Sequence, residues 1–233
     1  MRRLRKLYPD ARLALDFSTP LELLVALILA AQCTDKKVNE VTASLFRKYR
    51  SAADYVAVPL AELERDIRQT GFYRQKAISV QTCCRQLLER FGGEVPSRLE
   101  DLLTLRGVGR KTANILLGNA FGIPGIGVDT HVLRLAQRLG FTRHTDPDRV
   151  EADLTAIVPR RHQIAFCHLV QMHGRVTCAA RRPSCPECSL ADICPYATKT
   201  PPAPKPRPAF GRRPGRLAEE GAATKSRLRM AGA

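Results

Sequence analysis

The sequence has no apolar run long enough to cross a membrane. Its most apolar stretch, Leu21 to Ala31, covers only eleven residues and contains Glu22, whereas a spanning helix needs about 20. A run of that kind predicts a helix buried on nearly all sides. No apolar signal core or small-residue cleavage site follows the basic stretch Met1 to Lys6, so the expected location is cytoplasmic, or nucleoid-associated in a bacterium. Strand-like alternation is missing as well. Acidic residues are scarce beside basic ones: 22 Asp and Glu stand against 38 Lys and Arg, for a net charge of +16 over 233 residues. Such a surplus fits a polyanionic partner, of which nucleic acid is the commonest. A solvated basic surface and acidic lipid are the alternatives.

What is present, up to about residue 198, is one helical pattern after another. Val80, Cys84, Leu87, Leu88 and Phe91 form one apolar stripe, and Val150, Leu154, Ile157 and Val158 form a second. Asp146 caps the second and Pro147 suits its first position, where a missing N–H costs nothing. Gly92-Gly93, Gly122 to Gly127 and Gly140 separate the helices. The fold class is all-α. Residues 199–233 differ, with six prolines, nine Lys or Arg, two Glu and few large apolar side chains. Burial there cannot offset ordering entropy, and the segment reads as a disordered basic tail.

Eight cysteines divide into two groups. Cys33, Cys83, Cys84 and Cys167 sit among apolar residues as small core side chains. Cys178, Cys185, Cys188 and Cys194 crowd into a 17-residue stretch with six, two and five residues between them. In a reducing compartment that crowding indicates metal rather than disulfides. By chemistry alone the four thiolates suit zinc and a four-iron cluster equally.

The segment Leu105-Arg106-Gly107-Val108-Gly109-Arg110-Lys111 joins two helices, roughly Leu99 to Leu105 and Arg110 to Phe121. Gly107 and Gly109 permit positive φ and close approach of a ligand to bare backbone. Amides opening the second helix would then face an anion such as a DNA phosphate, although Gly-x-Gly also serves as a plain connector. Lys111 falls in the first turn, where the helix dipole disfavours a positive charge, and partial burial would act the same way. An amine placed so is a usable nucleophile; phosphate binding is the rival role. Eighteen residues on, Gly127-Val128-Asp129-Thr130-His131 precedes another apolar stripe, and Asp129 looks like its helix cap.

The run LRGVGRKTANILLGNAFGIP, followed by VDTH, resembles the helix-hairpin-helix, Gly/Pro-rich loop and aspartate of the endonuclease III family. With the cysteine cluster in the same order and spacing, the likeness extends from about Leu15 to Tyr196. It implies two helical lobes with the active site in the cleft between them. Residues 14–123 would form a helical barrel carrying the hairpin, and 1–13 with 124–198 an iron–sulfur lobe. It also implies a bifunctional DNA glycosylase and abasic-site lyase of base excision repair, acting as a monomer on damaged double-stranded DNA. The damaged nucleotide would be flipped into a pocket. Lys111 would attack C1′ and displace the base, with Asp129 assisting, and the imine would permit β-elimination. Oxidised pyrimidines are the implied lesions.

The C-x6-C-x2-C-x5-C pattern looks like that family's, which implies a [4Fe-4S] cluster on Cys178, Cys185, Cys188 and Cys194. Arg181 and Arg182 lie within its loop, placed for phosphates, with solubility as the bland alternative. Gln32 matches the family glutamine that fills the gap left by the flipped base; otherwise it is an ordinary helix-terminal polar residue. Phe72 stands where the family has a leucine wedge, a departure, and competes with a buried core role. Gly107, Val108, Gly109, Arg110 and His131 complete the DNA-binding set that the resemblance implies. Related adenine glycosylases use a glutamate near the first helix, where this chain has Leu27 and Ile28. A non-catalytic hairpin protein would have no use for the Lys111–Asp129 pair.

Overall fold

The computed structural model describes residues 1–196, and within them the chain is helical with no strand. The segment read as a basic tail lies outside the described residues. Eleven α-helices follow one another: α1 (Arg2–Leu7), α2 (Pro20–Leu29), α3 (Asp35–Lys48), α4 (Ala52–Ala57), α5 (Leu60–Asp66), α6 (Tyr73–Phe91), α7 (Leu99–Leu102), α8 (Arg110–Phe121), α9 (Thr130–Arg138), α10 (Pro147–Ile157) and α11 (Gln163–Val176). Starts are fixed by local chemistry. Thr19, Thr34, Asp129 and Asp146 each accept a hydrogen bond from the backbone N–H three residues on, satisfying a donor the helix leaves over. Pro20 and Pro147 occupy first positions.

Two cores form. The first gathers buried residues from Leu15 to Leu117 around α2. That helix is wrapped as its composition predicts, with Leu23, Leu24, Val25, Ala26 and Leu29 nearly inaccessible. Truncating one such leucine to alanine costs about 2–5 kcal/mol. A second, smaller core spans Ile126 to Val170, and a satellite of Leu4, Leu169 and Leu190 ties α1 to α11 and the cysteine segment. The two cores are the two lobes.

Several sequence expectations need correction. Leu88 and Ile157 are exposed at 38% and 53%: each stripe narrows to residues facing the core, and these two lie on its flank. Cys33 is only partly buried, because it sits in the turn after α2 rather than inside a helix. The helix before the hairpin ends at Leu102, and three-residue turns carry the chain to buried Leu105. Gly107 has φ of +82°, but Gly109 has φ of −95°. Only the first glycine is needed for backbone conformation.

The connection from α8 to α9 decides where Asp129 goes. Residues 124–128 run in contact with α8, and the Asn114 side-chain amide donates to the Ile126 carbonyl at 3.2 Å. A Cβ on Gly125 would stand 2.8 Å from Asn114 Oδ1, and one on Gly127 would stand 2.6 Å from Ile115 Cγ1. Neither fits, so these glycines permit an approach that a side chain would block. Gly127 thereby lies beside the Lys111 carbonyl.

Candidate active site

A cleft of about 250 Å³ brings together Gln32, Gly107, Lys111 and Asp129, with Ile28, Asp35, Ile115 and Arg175 completing much of the wall. Lys111 is the second residue of α8 and Asp129 the N-cap of α9, so each lobe contributes one. Lys111 is exposed; the partial burial expected for it is not found, because the cleft is open. Asp129 Oδ1 accepts from the Val132 N–H at 2.7 Å. One carboxylate oxygen is thus spent on the cap, which leaves the other for the cleft. Capping and a role in the cleft are compatible.

Of the remaining predicted residues, Phe72, Val108, Gly109, Arg110, His131, Arg181 and Arg182 lie outside that wall. Phe72 is 66% exposed, which removes the core reading. Val108 is 7% exposed and belongs to the first core. The Arg110 side chain is taken up within the protein: its Nε and Nη2 donate to the two carboxylate oxygens of Glu151 at 2.8 and 2.9 Å. That bidentate pair ties the start of α8 to α10 in the other lobe and occupies the guanidinium fork a phosphate would use. An Arg134 guanidinium nitrogen lies 3.1 Å from His131 Nδ1. Burial holds His131 below the usual histidine range, Asp129 acts in the opposite sense, and Arg134 adds to the lowering.

Backbone strain falls on the same residues. Among the described residues only three non-glycines have positive φ, and they are Gln32 (52°), Phe72 (48°) and Arg182 (56°). The left-handed region costs a non-glycine residue on the order of 1–3 kcal/mol. All three are exposed, so no packing gain explains the cost.

The four clustered cysteines line one small cavity with Arg138 and His173. Two arginines of α9 hold the first of them. Arg134 donates to the Gly174 and Cys178 carbonyls, and Arg138 donates to the Cys178, Ala179 and Ala180 carbonyls and to Cys178 Sγ at 3.1 Å. Burial pushes the Cys188 thiol up; a bond from the Leu190 N–H opposes it, and Cys178, Cys194 and Cys185 add to the rise. Among the described residues no three His, Cys, Asp or Glu side chains stand close enough to share a single ion.

Sequence reasoning missed four groups. Asp35 and Arg175 form an ion pair at 2.7 Å on the cleft wall, joining α3 to α11. Lys76 is buried at 4% exposure. It carried a readable signal, since it extends the Val80–Cys84 stripe backwards by one turn. Arg134 and Arg138 gave no such signal, because their partners are backbone atoms some forty residues away.

The profile described as HhH-GPD superfamily base excision DNA repair protein matches residues 25–160. Endonuclease III of Synechocystis sp. is 53% identical over 195 residues, covering 83% of this chain and 89% of its own. That of Bacillus subtilis is 46% identical, covering 81% and 86%. The chain belongs to the endonuclease III family. A solved structure of a trapped endonuclease III–DNA covalent intermediate with an estranged adenine superimposes on it with a TM-score of 0.82, at 47% identity, covering 85% of this chain and 93% of the other. No described helix is long and apolar enough to cross a membrane.

Proposed function

We propose that this endonuclease III-type base excision repair DNA glycosylase and abasic-site lyase removes oxidised pyrimidines from duplex DNA through an imine on Lys111. One observation carries the reading: Lys111 and Asp129, contributed by different lobes, line the same cleft as Gln32. The neutral Lys111 amine attacks C1′ and the bond to the base breaks, the base leaving with the electron pair and taking up a proton. Opening of the sugar ring gives the imine, which acidifies the C2′ hydrogens. Loss of one of them expels the 3′ phosphate, and water then frees the lysine. Asp129 accepts the proton from the lysine ammonium and stabilises positive charge on the sugar through its uncapped oxygen. The covalent intermediate named for the solved relative is the chemistry this sequence of steps requires.

Gln32 and Phe72 enter the duplex on either side of the vacated position, which gives their strained backbones a purpose. The amides of Gly107 to Arg110, at the start of α8, take a backbone phosphate, while Val108 contributes no side chain. His131 contacts the DNA from the α9 start. Arg181 and Arg182 contact phosphates further along. Cys178, Cys185, Cys188 and Cys194 hold a [4Fe-4S] cluster, a fit supported by four thiols around one cavity and an arginine donating to one of them. Bound there, the cluster supplies thiolate cross-links for a segment that has almost no core. The lobes comprise 14–123, and 1–13 with 124–198; the enzyme works as a cytoplasmic monomer, nucleoid-associated in a bacterium.

The test uses two substitutions on lesion-bearing duplexes. Lys111→Gln abolishes borohydride trapping while abasic-site binding persists. Asp129→Asn keeps the cap, since Asn caps about as well as Asp, and lowers excision by about 100-fold, in the range of a lost acid–base group. Trapping by Lys111→Gln at the wild-type level would remove Lys111 from this role.

A further inference from the structure

Lys76 is the one lysine of the described chain that is buried, and the chemistry above makes no use of it. It lies in the first turn of α6, directly after Phe72, and its backbone N–H donates to the Phe72 carbonyl at 3.1 Å. Its ammonium reaches inward and donates to two main-chain carbonyls, Leu29 at 2.8 Å and Thr70 at 2.7 Å. Leu29 is the last residue of α2, three before Gln32, and Thr70 is two before Phe72.

Helix α2 has no basic residue in its own last turn, although its terminal carbonyls and dipole favour a cation there. The lysine of α6 supplies that cation from outside the helix. It also draws Thr70, which precedes the Gly71-Phe72 kink, to the same point. One nitrogen thus bonds the backbone three residues before Gln32 and two residues before Phe72. Burial holds the Lys76 ammonium below the ordinary lysine range, with Cys33, next to Gln32, acting in the opposite sense. One turn further along α6, Ser79 Cβ would lie 3.5 Å from a Cβ on Gly107, so the same helix also backs the hairpin.

We infer that Lys76 is a positioning residue that fixes the Gln32 and Phe72 turns relative to one another, through the Leu29 and Thr70 carbonyls. The inference rests on the reading that Gln32 and Phe72 enter the duplex. A spacing set by one buried group would let both side chains meet the two strands in register, without an ordering cost at the moment of binding. Burying an ammonium is costly unless it is well hydrogen-bonded, and its two carbonyl bonds are both directed to these turns.

The experiment compares Lys76→Met with Gln32→Ala/Phe72→Ala and with the triple variant, all as full-length holoenzyme. Two rates are read: single-turnover excision from a lesion duplex, and cleavage of a ready-made abasic site in single-stranded DNA. The second needs Lys111 and Asp129 but no entry into a duplex. For Lys76→Met, duplex excision is expected to fall by about tenfold or more, the size of a lost charge-assisted hydrogen bond, with single-strand cleavage within about twofold. In the Gln32→Ala/Phe72→Ala background, Lys76→Met should add little, because the groups act as one unit. Equal loss on both substrates, fully additive effects, or unchanged duplex excision would each overturn the inference. If Lys76→Met does not fold, Lys76→Gln, which keeps an amide donor, is measured in its place. Loss of fold in both would also overturn it. Unchanged duplex excision by Gln32→Ala/Phe72→Ala would instead sink the duplex-entry reading beneath it.

Discussion

The two lobes are stabilised in different ways. Around α2 the first lobe buries twenty-seven apolar residues in one continuous cluster. The second has eleven, with three more in its satellite, and between Cys178 and Tyr196 only Leu190 is a buried hydrophobic. A segment with so little to bury does not order itself by apolar contact. What holds it is polar: the arginines of α9 on three successive carbonyls, and the four thiols that face one cavity. The cysteine segment is thus held by directed bonds, while the helices of both lobes are held by packing, and the cleft draws Lys111 from one lobe and Asp129 from the other.

That contrast breaks most visibly if the cysteine segment loses its cross-links. Purified protein is expected to be yellow-brown with about four irons per chain. Replacing Cys188 with serine should expose residues 178–196 to protease and rapid hydrogen exchange, while amides of α2 and α6 keep their protection. Binding of metal to such a segment is folding free energy on the order of several kcal/mol. A colourless protein with one zinc, or simultaneous loss of protection in both lobes, would contradict the division.

Gly127→Ala strikes the seam between the lobes. The added methyl would meet Ile115 at 2.6 Å, pushing the Gly127–Asp129 segment off α8. A displacement of about 1 Å at a reacting group can cost roughly 100-fold in rate, so single-turnover excision should drop by that order. Iron content and abasic-site binding should stay near wild type. Retained excision would mean the close approach at Gly127 does not set the Asp129 position.

The smallest effect is expected at Arg110. Because its fork is held by Glu151, Arg110→Gln should leave the salt dependence of DNA binding almost unchanged. A phosphate contact would instead flatten the log–log slope by about 0.9. Excision should weaken modestly through a looser hairpin, and the charge-reversed pair Arg110→Glu/Glu151→Arg should recover it. A slope change of that size with no recovery would mean that the Arg110 guanidinium, and not only its backbone amide, takes a phosphate.

How much of this was legible in the sequence follows from the range of the forces involved. Helix caps are local, and Asp129 and Asp146 were readable because cap and recipient lie three residues apart. The hairpin helix from Arg110 to Phe121 was likewise bounded by its own Gly109 and Gly122. Lys111 and Asp129 are visible in the sequence only as two suggestive residues joined by a resemblance; their common cleft depends on Gly125 and Gly127 packing against α8, a tertiary event. The Arg110–Glu151 pair spans forty-one positions and the Lys76–Leu29 bond forty-seven, so neither has a local signature. Strain at Gln32, Phe72 and Arg182 was hidden for a related reason: nothing in the identity of those residues favours positive φ.

We propose Lys111 as the nucleophile of an active site built from both lobes. This role is tested most directly by locating the adduct. Enzyme incubated with a lesion-bearing duplex and borohydride is digested with protease, and the peptide carrying the reduced sugar is sequenced by mass spectrometry. The expected result is one modified residue, Lys111, at near-stoichiometric yield, and no adduct with Asp129→Asn at matched short times. Adduct on another lysine or on the terminal amine, with Lys111 unmodified, would contradict it.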